Sequence, residues 1–90
     1  MAKVGLTSEL IRAARALLRW DQRHLAEASS VSLPTVKRLE SRPGVLEAHA
    51  STLAAFSRAF EDAGIEFIPE NGGGRGVRLR ERQRPKQAKK

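Results

Sequence analysis

Apolar residues recur at three- and four-residue intervals through the first two thirds of the chain, then switch to alternation. Leu10, Ile11, Ala14, Leu17 and Leu18 make one stripe of a first helix. Thr7 or Ser8 can cap it, and Glu9 favours its first turn. Arg12 and Arg19 fall on the opposite, solvated side. Arg15 lies at the border of the stripe, where it can reach another helix. Asp21 is a good cap for a second helix over 22–28, with Leu25 and Ala26 inward. Ser29-Ser30-Val31 interrupts the pattern, Val31 anchoring the turn to the core.

Ser32 then caps a third helix, in which Pro34 is tolerated because the first amides lack partners anyway. Val36 and Leu39 point inward. Leu33, Pro34, Lys37, Arg38 and Ser41 occupy the outward arc. Pro43-Gly44 predicts an end near Arg42. The stretch 45–50 shows no assignable pattern. A fourth helix begins at Ser51 or Thr52, with Leu53, Phe56, Ala59, Phe60 and Ala63 as its inner face, and Gly64 is placed to end it in a left-handed conformation.

The runs 65–68 and 76–79 alternate around the turn-rich segment 69–75, which signals a β-hairpin in which Glu66 and Arg78 can pair. A lone hairpin is marginal in water, so it must pack on the helices or pair with a second chain. Ile65, Phe67, Val77 and Leu79 are therefore candidates for a homodimer contact, with the fourth helix as the other possible interface. The organisation expected is a loose arm (1–6), one folded unit (7–79) and a basic, disordered tail (80–90). The fold class expected is mostly α: about four helices, then the hairpin.

Composition narrows the chemistry. Ninety residues make one domain at most, and without cysteine there are no disulfides or thiolate metal sites. No apolar run approaches the roughly 18 residues of a membrane span. No export signal is evident, so a cytoplasmic protein is expected. The net charge of +7 points to a polyanionic partner. Residues 80–90 carry +5 of it and residues 1–79 only +2. A basic tail reads equally well as a solubilising run, so an argument for nucleic acid has to come from the helices.

Other candidates give plain readings. His24 and His49 have no metal-ligand spacing and read as surface residues. The run Gly72-Gly73-Gly74 lacks the Gly-Lys-Ser/Thr of a phosphate loop and reads as a turn. Trp20, Phe56, Phe60 and Phe67 read as packing, and so few aromatics argue against single-strand binding by stacking. There is no nucleophile–base arrangement, so no catalytic residue, metal or cofactor is expected.

The run LLRWDQRHLAEASSVSLPTVKRLE resembles the helix-turn-helix of the lambda-repressor-like, or XRE, family of bacterial and phage regulators. Leu18, Gln22, Leu25, Ala26, Val31, Ser32, Val36, Leu39 and Glu40 stand at that family's motif positions. The likeness spans roughly residues 8–63, and the closing GIEFIPENGGGRGVRL is similar to a subgroup of its short members. Two features depart from the pattern. Ser30 stands where glycine is usual, and a left-handed backbone there costs about 1 kcal/mol relative to glycine. The hairpin stands where longer regulators have a further helix.

The resemblance implies a lambda-repressor-like bundle whose third helix enters the major groove N-terminus first, while the second crosses the backbone. Leu33, Pro34, Lys37 and Arg38 then face bases: Lys37 or Arg38 can bond guanine, and Leu33 or Pro34 can pack on a thymine methyl. Gln22, Arg23, Ser32, Thr35, Ser41 and Arg42 are phosphate candidates, with Gln22 at the family's phosphate position. Arg15 and Glu40 match an ion pair joining the first helix to the third. Taken alone, Lys37 and Arg38 read as an ordinary solvated face; the surrounding motif favours DNA.

The function expected is a dimeric repressor reading an inverted repeat in double-stranded DNA. The alternative is an antitoxin-like or phage-encoded regulator whose main role is binding a protein partner through the hairpin or tail. An enzyme is the poorest of the three readings.

Overall fold

The computed structural model describes residues 5–81. Within them four helices precede a two-stranded antiparallel hairpin: α1 (Ser8–Leu18), α2 (Gln22–Ser29), α3 (Leu33–Glu40), α4 (Ala50–Asp62), β1 (Ile65–Ile68) and β2 (Gly76–Leu79). No helix among the described residues is long and apolar enough to cross a membrane. The tail from position 82 onward, and positions 1–4 of the arm, lie outside the described residues.

Three helices start on side-chain caps. Thr7 Oγ1 accepts from the Leu10 N–H at 3.0 Å, Asp21 Oδ1 from His24 at 2.7 Å, and Ser32 Oγ from Thr35 at 3.3 Å. These bonds satisfy amides that have no partner inside the helix. α4 starts at Ala50, one residue before the earliest predicted start, with no side-chain cap on His49. α3 stops at Glu40, short of Arg42, and Ser41 closes it with its N–H on the Lys37 and Arg38 carbonyls.

The apolar stripes converge. Ile11, Leu25, Val36, Phe56, Phe60 and Ile65 are essentially inaccessible to solvent. Leu17, Leu18 and Leu53 are half-buried at the margin. Phe60 stacks on Trp20 at 5.7 Å and meets Phe67 edge-on at 6.0 Å, which joins α4 to both the α1–α2 turn and the hairpin. β1 packs on α4 and β2 on α1. The register pairs Glu66 with Arg78, as expected, and Phe67 with Val77.

Two expectations need correction. Leu6, assigned to a loose arm, is only 5% exposed and belongs to the core. Its carbonyl accepts from Leu46 at 3.0 Å, Thr7 bridges Val45, and the Ser8 N–H reaches the Gly44 carbonyl at 3.0 Å. The unassigned stretch after Gly44 is thus the partner that holds the start of the chain. Ile65, a dimer candidate, is fully buried in the protomer's own core, so its side chain is closed to a second copy. Phe67, Val77 and Leu79 are half-buried against that same core.

Candidate nucleic-acid interface

The α2–α3 turn depends on two adjacent serines. Ser29 is buried, and its hydroxyl donates to the Leu25 carbonyl at 2.7 Å while accepting from the Val31 N–H at 3.3 Å. Ser30 then takes a left-handed conformation, φ 62°. This reverses the chain tightly enough to lay α3 across α2, with Val36 and Leu39 buried beneath it.

Glu40 fixes the end of α3. Its carboxylate accepts from Arg15 Nε at 2.8 Å, Arg15 Nη2 at 2.8 Å and Gln22 Nε2 at 3.0 Å. Arg15 also donates through Nη1 to the Trp20 carbonyl at 3.0 Å. The Glu40 side chain is 4% exposed and that of Arg15 19%. The predicted ion pair is therefore present and joins α1, α2 and α3 at one point.

Electrostatics on the outer face follow from that burial. Glu40 is the sole carboxylate of α3, and it is withdrawn and neutralised. Lys37 and Arg38 stay exposed, as do Arg23 on α2 and Arg42 just past the end of α3. Pro34 is exposed at the leading end. Leu33 is half-buried and packs partly against the core, which leaves less of it for a thymine methyl than the sequence predicted.

The phosphate candidates divide. Arg23 and Arg42 are exposed side chains. Gln22 has one amide hydrogen committed to Glu40, leaving one donor for a phosphate. Ser32 and Thr35 bond each other, Oγ to Oγ1 at 2.9 Å, in addition to the cap. Ser41 donates its hydroxyl to the Arg38 carbonyl at 2.7 Å, a closing turn of its own helix. No protein-family model matches the chain, and no curated protein sequence matches it.

Residues outside the predicted set also border this face. Thr35 and Arg38 line an open groove of about 460 Å³ with Glu47, Ala48, His49 and Thr52, where α3 faces the start of α4. Arg12, predicted to be solvated, donates through Nη1 to the Glu40 carbonyl at 2.8 Å. His24 is exposed, as expected, and stacks on Trp20 with ring centroids 4.4 Å apart. No cluster of His, Cys, Asp or Glu among the described residues could hold a metal ion.

Proposed function

We propose that the protein is a sequence-specific double-stranded DNA-binding regulator of lambda-repressor-like helix-turn-helix type, acting as a dimeric repressor on an inverted repeat. One observation carries this reading. α3 is held on its inner side by Val36, Leu39 and the Arg15–Glu40 pair, while its outer side offers Pro34, Lys37, Arg38 and the half-exposed Leu33 and Thr35. A helix so mounted fits the major groove, where each base pair displays its own donors and acceptors. Lys37 and Arg38 read base edges; Arg23, Arg42 and the free amide hydrogen of Gln22 meet phosphates and set the register.

A second copy completes the reading. Among the described residues each strand of the hairpin pairs only with the other, and an outer edge of such a hairpin can pair main chain to main chain across a two-fold axis. Two such recognition helices would sit about 34–36 Å apart, one turn of DNA. Selection of bound sequences from a random duplex pool tests the proposal. Enrichment of an inverted repeat with half-sites one turn apart supports it, and a pool that stays random after successive rounds rejects it.

A further inference from the structure

We infer that Arg12 is a positioning residue that sets how far α3 stands along its own axis, and so governs DNA selectivity rather than raw affinity. The inference rests on the DNA-binding reading above. It starts from the last carbonyls of a helix, which lack intrahelical donors. In α3 the Lys37 and Arg38 carbonyls are satisfied by Ser41. The Glu40 carbonyl is satisfied by Arg12 at 2.8 Å, from a residue 28 positions earlier in the chain. A guanidinium at this end also meets the negative pole of the helix.

Arg12 acts as one step of a ladder. Glu9, Arg12 and Arg15 are spaced one turn apart along α1. Glu9 accepts from the Gly44 N–H at 3.2 Å, beyond the end of α3, and lies 4.0 Å from Arg12. Arg12 holds the Glu40 backbone, and Arg15 holds the Glu40 side chain. A side-chain clamp on its own limits the roll of a short helix; a second attachment, to the backbone, limits its sliding. Axial position decides which base edges Lys37 and Arg38 reach, whereas phosphate attraction tolerates small displacements. The Arg12 side chain is 45% exposed, so its loss leaves the core intact.

The test compares wild type, Arg12→Ala and Arg12→Lys in the full chain. Binding is measured to the duplex selected from the random pool and to a scrambled duplex, alongside amide hydrogen exchange of α3 and Gly44 without DNA. Losing one charge-assisted hydrogen bond should lower the selected-to-scrambled ratio in Arg12→Ala by about tenfold. Affinity for the scrambled duplex should hold, exchange at the end of α3 should quicken, and Arg12→Lys, which keeps a charged donor, should recover part of the ratio. Equal weakening on both duplexes would make Arg12 a phosphate contact and overturn the inference, as would an unchanged ratio with unchanged exchange. If wild type itself shows no selectivity, the DNA-binding reading falls and the selectivity claim with it; faster exchange in Arg12→Ala would still establish the clamp.

Discussion

Arg15 grips Glu40 with two hydrogen bonds of 2.8 Å, one from Nε to Oε2 and one from Nη2 to Oε1, across 25 positions of sequence. The paired planar groups make this the most directional tie between α1 and α3. Burial tempers its net worth, because both charges lose water before they meet. Breaking the pair is a different matter, since it strands a charge that has already been desolvated.

Glu40→Ala should therefore destabilise the protein by about 3 kcal/mol, leaving Arg15 without its partner. The double variant Arg15→Met/Glu40→Leu should cost less than Glu40→Ala alone. Urea unfolding of the wild type, both single variants and the double variant measures this. Additive losses, or an unaffected Glu40→Ala midpoint, would show that the pair does not hold α3.

Ser30→Gly should stabilise the protein by about 1 kcal/mol, by relieving a side chain held at φ 62°. Ser30 is exposed, so glycine removes no packing. Thermal unfolding followed by circular dichroism reads the change. A lower melting temperature would mean that the hydroxyl contributes more to the turn than the left-handed backbone costs.

Acid should weaken the Glu9 contact. Its own backbone N–H, the Gly44 N–H and the nearby Arg12 guanidinium hold the Glu9 carboxyl below the usual carboxylate range. A carboxyl lowered in the folded state adds stability above its unfolded pKa, and that contribution is lost as pH falls through the folded value. Wild type should thus melt above Glu9→Gln near neutrality, and the gap should close as the solution is taken below the carboxylate range. A gap that is constant with pH would assign the difference to packing.

Arg23→Ala should weaken selected and scrambled duplexes alike and reduce the salt slope by about one unit, the mark of a lost phosphate contact. Fluorescence anisotropy of labelled duplex over a salt series measures both. Loss confined to the selected duplex would move Arg23 to the base-reading group.

Much of this architecture is legible in the chain. Stripes such as Leu10, Ile11 and Ala14 mark the buried side of a helix, caps such as Asp21 mark its start, and alternation from Ile65 and Gly76 marks both strands with their register. Periodicity is a local signal, and it fails where contacts join distant segments. Leu6 has no repeat around it, so nothing local shows that Leu46 will receive it. Arg12 lies opposite the apolar stripe and is exposed as that position predicts, yet it also bonds a carbonyl 28 positions on, which no local pattern shows. Gln22 carries the same amide in either role, and only the folded chain brings Glu40 within 3.0 Å of it. The outward arc of α3 was readable as far as Pro34, Lys37 and Arg38; the partial burial of Leu33 depends on how α3 settles against the core.

The central claim is that α3 reads base sequence through its exposed cations. Its most direct test is the affinity of wild type and Arg38→Ala for the selected and the scrambled duplex at one fixed salt concentration. The account predicts that wild type prefers the selected duplex by about a thousandfold or more. It also predicts that Arg38→Ala loses about 1–3 kcal/mol of that preference while melting like the wild type. Equal binding of both duplexes by wild type, or an Arg38→Ala variant that discriminates as well as its parent, would contradict it.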